Sequence, residues 1–303
     1  MDWIIGQQKA VDYIEENLTE TIDYDVVAAQ SFSSSYHFQR VFSILCGFTV
    51  GEYIRRRRLS LAGAELATGD AKVIDVAFKY GYESPDSFAK AFQRFHGILP
   101  SQARNNGSNL KSFSRLVLKF SLEGGVIMNY RMETKPQMTL LGYKRRFEGT
   151  PYDELRHKQE GDFFTSTRAH QWMLKGMSND KRSYYCILTN MDDCGYDFYI
   201  AVTTDNYERD NLYNCDVTGI DFMDKFQYEE IMIPERTYAV FETGKQRVPI
   251  PEYFTLRKQI AAEWLANEEY QMINAPELAV YHWGIDGGCA DRTIEIWIPI
   301  EKK

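Results

Sequence analysis

The sequence has no apolar run approaching the roughly 18 residues a membrane-spanning helix needs, so no membrane partner is expected. Its start, Met1-Asp2-Trp3-Ile4-Ile5, puts no basic segment ahead of the apolar residues and does not read as a secretory leader. Cysteine is scarce: Cys46, Cys186, Cys194, Cys215 and Cys289 are odd in number and form no C-x-x-C pair. That argues against a disulfide framework or a cysteine zinc site, and a reducing cytoplasm is the expected compartment. His37, His96, His157, His170 and His282 are too scattered to suggest a metal cluster, so neither metal nor cofactor is expected. G-x-S-x-G, H-E-x-x-H and P-loop patterns are missing as well, and no catalytic residues are assigned. What is abundant is aromatic: Tyr 20, Phe 18 and Trp 5 in 303 residues, enough for two cores without staples.

The net charge of −8 argues against a nucleic-acid partner, but its distribution argues for one. Residues 30–111 hold 11 basic and 6 acidic groups, whereas residues 112–303 hold 23 basic and 30 acidic. A basic module is joined to an acidic one.

The first hundred residues read as helices. Ile4, Val11, Ile14 and Leu18 share one helical face, and Tyr53 to Thr68 places Leu59, Ala62 and Leu66 on another. Arg55 to Arg58 surround that second helix with charge. Asn105-Asn106-Gly107-Ser108-Asn109 is the candidate linker. Beyond it the period shortens. Leu116–Leu118 and Val126–Met128 flank Gly124-Gly125 as a hairpin. Strands are expected at Tyr184–Leu188, Gly195–Thr204, Phe226–Ile233, Thr237–Glu242, Leu278–Trp283 and Thr293–Ile300. Helices are expected from Thr150-Pro151, with Asp153 and Glu154 in the first turn, and over Pro251 to Glu268. The fold class is therefore multidomain: an all-α N-terminal domain over 1–108 and an α+β C-terminal domain over 112–303, with mostly antiparallel sheet.

The helical part repeats itself. Phe38, Phe42 and Gly47 correspond to Phe88, Phe92 and Gly97 at an offset of fifty, and Val27-Ala28 to Val76-Ala77 at forty-nine. In each copy a short helix carries a small Ala, a polar turn follows, and a helix opening with Ser carries Phe-x-x-x-Phe. This is the plan of a helix-turn-helix, present twice. The second helices expose residues suited to double-stranded DNA: Ser35, Tyr36, Gln39 and Arg40 in the first copy, Asp86, Ser87 and Lys90 in the second. Gln pairs with adenine, Arg with guanine, and a carboxylate accepts from cytosine N4. Lys79, Arg94 and Arg104 are candidates for phosphate.

With Tyr80-Gly81-Tyr82-Glu83-Ser84-Pro85-Asp86-Ser87-Phe88-Ala89-Lys90-Ala91-Phe92 and Gly97-Ile98-Leu99-Pro100-Ser101, residues 1–106 resemble the AraC/XylS family of transcription regulators. The resemblance implies two recognition helices entering successive major grooves. The C-terminal part is similar to GyrI-like effector-binding domains. It shares Ile233 to Phe241 with Gly244, Glu263-Trp264-Leu265, Ala275 to Tyr281 and Glu295 to Ile300, in a Rob-type order of domains. That family implies two strand-helix-strand modules with a ligand cleft.

Strand alternation puts Thr293, Glu295 and Trp297 on one face and Ile294, Ile296 and Ile298 on the other. A carboxylate beside an aromatic face suits a lipophilic cation. Glu295 and Trp297 are thus the leading effector residues, and the resemblance supports Glu295. Tyr143, Trp172, Tyr199 and Tyr281 are further cleft candidates. The expected function is a DNA-binding regulator, an activator, responding to a small effector, with RNA polymerase as a further partner. Two alternatives stay open: hydrolysis of a small electrophile with Glu295 as general base, or a protein-interaction module.

Overall fold

The structure is a computed structural model that describes residues 2–69, 71–105, 108–118, 128–151, 154–180, 182–204, 222–260, 264–265, 269–283 and 291–302. It forms two compact units, Met1–Gln39 with Thr49–Glu123, and Arg40–Phe48 with Gly124–Lys303. The expected Gly124-Gly125 hairpin and Asp153 lie outside the described residues.

The helices of the N-terminal part are α1 (Asp2–Glu16), α2 (Tyr24–Ala29), α3 (Ser35–Cys46), α4 (Val50–Thr68), α5 (Val73–Lys79) and α6 (Pro85–His96). The sequence repeat is realised as α2–α3 and α5–α6. Val27, Ala28, Val76 and Ala77 are buried, as are Phe38, Phe42, Phe88 and Phe92. Ser84 Oγ caps α6 by accepting from the Ser87 N–H at 3.2 Å, and Ser34 Oγ accepts from the His37 N–H at 3.3 Å at the matching position. Gly47 and Gly97 end the two recognition helices with φ of 76° and 85°, a conformation that costs glycine little. The turns differ. Gly81 takes φ 80° in the second, whereas Phe32 takes φ 53° in the first with its ring exposed.

Two of the four arginines on α4 serve structure. Arg57 binds Glu15 through Nε and Nη2, both at 2.8 Å, and Tyr53 donates to the same carboxylate at 2.6 Å. Arg58 donates to the carbonyls of Leu18 and Glu20 at 2.7 Å. Both arginines therefore tie α1 and its C-terminal end to α4.

Residues 108–118 are neither helix nor strand, yet they are docked. The N–H groups of Lys111, Phe113, Leu116 and Leu118 donate to His96 Nδ1, Ser60 Oγ, Tyr53 OH and Gln8 Oε1 at 3.0–3.2 Å. Side chains of α1, α4 and α6 thus supply the acceptors that a neighbouring strand would otherwise give.

The C-terminal part contains β1 (Tyr130–Lys135), β2 (Met138–Glu148), α7 (Glu154–Ser166), α8 (Arg168–Met177), β3 (Ser183–Thr189), β4 (Gly195–Thr203), α9 (Phe222–Phe226), β5 (Glu229–Ile233), β6 (Arg236–Glu242), α10 (Ile250–Gln259), β7 (Tyr270–Met272), β8 (Glu277–His282) and β9 (Thr293–Lys302). The strands form one sheet in the order β1-β6-β9-β8-β3-β4-β2-β5, with β7 beside β9 and every pairing antiparallel. Two modules are visible, β2–α7–α8–β3–β4 and β6–α10–β8–β9, joined where β3 pairs with β8. Each lends an edge strand to the other: β1 pairs with β6, and β5 with β2. Residues 136–137 and 234–235 connect strands from opposite ends of that order, so the sheet must curl. Leu140, Ile187, Tyr199, Val240, Leu278 and Trp297 fill its inner face, and the helices cover the other.

The expected strand at Phe226–Ile233 starts later, because 222–226 is helical and Gln227 turns the chain with φ 53°. The strands at 130–135, 138–148 and 270–272 and the helix at 168–177 were not expected. Among the described residues no helix is long and apolar enough to cross a membrane.

His96 is buried at the meeting of α4, α6 and the docked segment, and its hydrogen bonds fix its protonation state. Nδ1 accepts from Lys111, so Nε2–H donates to the Leu59 carbonyl at 2.9 Å. Burial lowers its pKa below the ordinary 6.5, and the nearby Lys111 charge adds to that, against the Leu59 bond. The unfolded chain is then protonated first as pH falls. The contribution is whole above about pH 6.5 and is lost as pH drops through it towards the lower folded value. Amide-exchange protection at Lys111 and Phe113 should fall over that range. Protection that stays constant would contradict this account, and in His96→Gln it should not respond to pH.

Candidate functional site

On α6 the exposed residues Asp86, Ser87, Lys90 and Arg94 recur at helical spacing along one side, opposite buried Phe88 and Phe92. On α3 Ser35, Tyr36 and Gln39 are half-buried, and Gln39 Nε2 donates to Ser35 Oγ at 3.2 Å. Arg40 is buried and falls in the second compact unit. Of the phosphate candidates, Lys79 is paired with Glu65 at 2.8 Å and Arg104 donates to the Ala71 carbonyl. Arg94 is exposed.

The six effector candidates do not converge. Glu295 and Trp297 lie on the inner face of the sheet, as alternation implies, but the carboxylate is already engaged. Arg131 Nη2 donates to it at 2.5 Å and Trp297 Nε1 at 2.7 Å, with His282 Nε2 3.8 Å away. Burial alone would raise its pKa, but the bonds from His282, Trp297 and Arg131 prevail and hold it at about 2. Tyr199 is on the same face and receives Lys144 Nζ at 3.1 Å. Tyr143 is on the helix side, bonded to Thr167 Oγ1 at 2.7 Å and packed on Phe163. Trp172, on α8, is 79% exposed.

Tyr281 is the candidate that lines a cavity suited to a ligand. About 330 Å³ of space is bounded by His157, Glu160, Gly161 and Phe164 of α7, Gln171 of α8, Ile250 of α10, and Tyr281 and Trp283. Apolar walls with a few convergent polar groups are the usual form of a small-molecule site. The α7 residues form a stripe at i, i+3, i+4 and i+7. Glu160 is the carboxylate in this wall. Tyr281 OH donates to its Oε1 at 2.5 Å and Arg156 Nε to its Oε2 at 2.9 Å. Arg156 is fully buried behind it, 5.3–5.6 Å from the ring centres of Phe198, Tyr253 and Phe254. Burial opposes its charge, but Tyr253, Glu160, Tyr196 and Tyr281 outweigh that and hold its pKa well above the ordinary value. The phenol of Tyr281 is pushed up, first by burial and then by Glu160. A second buried pair lies on the same sheet face, where Arg257 Nη2 donates to Glu277 Oε2 at 2.5 Å. Glu160 and Trp283, which line the cavity, were not among the candidates expected from the sequence. The signals were the stripe on α7 and the shared parity of 281 and 283.

Comparison with known proteins finds a match in each part of the chain. Residues 27–106 match the family described as "Helix-turn-helix domain", and residues 131–300 the one described as "Integron-associated effector binding protein". Over 92 residues the chain is 47% identical to the HTH-type transcriptional activator AarP of Providencia stuartii, covering 30% of this chain and 68% of that protein. It is 38% identical over 98 residues to the regulatory protein SoxS of Salmonella typhimurium, covering 32% of this chain and 92% of that protein. Among solved structures, SAV2435 bound to tetraphenylphosphonium is 19% identical. That match covers 57% of this chain and 94% of the other, with a TM-score of 0.42.

Removing one partner of a buried ion pair leaves the other uncompensated. Arg156→Ala should therefore cost about 3–5 kcal/mol of stability in urea unfolding. A loss below about 1 kcal/mol, the level of an exposed pair, would show that the pair is not held as described.

Proposed function

The chain belongs to the AraC/XylS family of helix-turn-helix transcription regulators, and from that premise we propose how its two parts act. It is a DNA-binding transcription regulator with a C-terminal effector-binding domain. In our reading residues 1–108 bind DNA and residues 112–303 bind the effector. Ser35, Tyr36 and Gln39 read bases in one major groove, whereas Arg40, buried and paired with Glu277, is not assigned to a base. Asp86, Ser87 and Lys90 read the next, with Arg94 on phosphate. The output is activation, as the name of the related AarP suggests; in our reading RNA polymerase is the further partner and the protein works in the cytoplasm.

The effector is a small lipophilic cation bound in the cavity between α7 and α10. One observation carries this: the buried carboxylate of Glu160 stands in a wall otherwise made largely of Phe164, Tyr281, Trp283 and Ile250. A desolvated cation gains there from the carboxylate and from aromatic faces together. Glu160 and Glu295 each hold an arginine, Arg156 and Arg131, and of the two it is Glu160 that lines this cavity. At a pKa of about 2 Glu295 is also a weak base at neutral pH, which argues against the hydrolytic alternative.

The DNA half is tested with a duplex selected by the protein from a random library. Affinity should fall steeply with salt. Gln39→Ala should lose about 1–3 kcal/mol of discrimination at one base position, while Arg94→Ala weakens all sequences alike and flattens the salt dependence. Salt-independent binding would contradict the assignment. The effector half is tested by calorimetry with lipophilic cations and their neutral isosteres. Cations should bind more tightly, and Trp283→Ala, at the cavity rim, should weaken them. Equal binding of neutral isosteres would count against a cationic effector.

A further inference from the structure

One position in the α7 wall of the cavity, between Glu160 and Phe164, has no side chain. Gly161 lies in the interior of α7, between Glu160 and Phe164 on the stripe that faces the cavity. A glycine there weakens the helix relative to alanine, because the unfolded chain has more freedom to lose. The usual structural reasons for a helix glycine do not apply. Gly161 is not among the glycines with positive φ, and a Cβ built on it would meet nothing within 4 Å. Gly63 on α4 shows the contrast: a Cβ there would lie 2.6 Å from the His96 ring, so packing requires the glycine. Gly176 also has open space, but it belongs to the last turn of α8, where helix propensity counts least.

What Gly161 contributes is room, and flat rings bound that room. Tyr281 and Trp283 are 5.5 Å apart between ring centres, and Phe164 and Tyr281 6.1 Å. The volume of about 330 Å³ is at the lower end for ligand sites. We propose that Gly161 determines the specificity of the effector site, and that the effector is a flat, fused-ring aromatic lying against the bare α7 backbone among Phe164, Tyr281 and Trp283. This rests on the reading that the cavity is the effector site. A compound with rings splayed in three directions lacks the depth it needs there. A side chain at 161 would occupy the place of the flat ring.

The test uses two cations of equal charge on the full chain, flat N-methylacridinium and three-bladed methyltriphenylphosphonium. Calorimetry should show N-methylacridinium binding at least about tenfold more tightly. Gly161→Leu should weaken it by about tenfold or more, with Gly161→Ala between. Both variants should melt no lower than the wild type, since each adds helix propensity in open space. Equal binding of the two cations would overturn the proposal. So would N-methylacridinium affinity unchanged in Gly161→Leu but weakened in Trp283→Ala, which would leave the cavity as the site. If neither variant alters binding, the effector sits elsewhere and the underlying reading falls as well.

Discussion

The effector-binding part depends on one buried contact, the Arg156–Glu160–Tyr281 chain. Arg156 donates to Glu160 and, at 3.0 Å, to the Pro151 carbonyl where the chain enters α7. Its guanidinium lies against rings from β4 and α10, and Glu160 in turn receives the hydroxyl of Tyr281 on β8. Three elements, β4 of one module and α10 and β8 of the other, are thereby set in position by one helix turn of α7. A buried ion pair adds little net stability over apolar packing, but losing either partner is expensive. Such a contact is better suited to fixing an arrangement than to strengthening it. The arrangement it fixes here leaves a ligand-sized space beside its own carboxylate.

The DNA-binding part obeys a different constraint, which is duplication. Two helix-turn-helix copies reach the same geometry with different turns. Copy two places glycine at the left-handed position, whereas copy one places Phe32 there. The copies also differ in their faces. Asp86, Ser87, Lys90 and Arg94 are exposed, while Ser35, Tyr36 and Gln39 are half-buried. For an effector to change DNA binding, it must favour one of two states of the protein over the other. The segment 108–118, which follows the helices in the chain, is held through side chains of α1, α4 and α6.

The helical half was largely legible in the sequence because its signals are local. The Phe-x-x-x-Phe stripes, the opening serines and the terminal glycines each act within one turn of helix, and all were found where expected. The inner and outer parity of β9 was legible for the same reason. The exchange of edge strands was not, since β1 and β5 pair far along the chain and no local pattern encodes a partner. The same limit explains why the cavity beside α7 was not legible in the sequence. Glu295 reads as an open carboxylate until β1 brings Arg131 against it from 164 residues away. Glu160 reads as an ordinary helix residue until Tyr281 closes on it from 121 residues away. Both carboxylates hold an arginine, and what distinguishes Glu160 is its place in the wall of the cavity.

The most direct measurement is a crystal structure of the full chain grown with a saturating lipophilic cation such as N-methylacridinium. The account predicts density between α7 and α10, in contact with Phe164, Tyr281 and Trp283, with Glu160 at the charged end and Arg131 still on Glu295. Density at Glu295 with Arg131 displaced, or a cavity left empty at saturation, would contradict it.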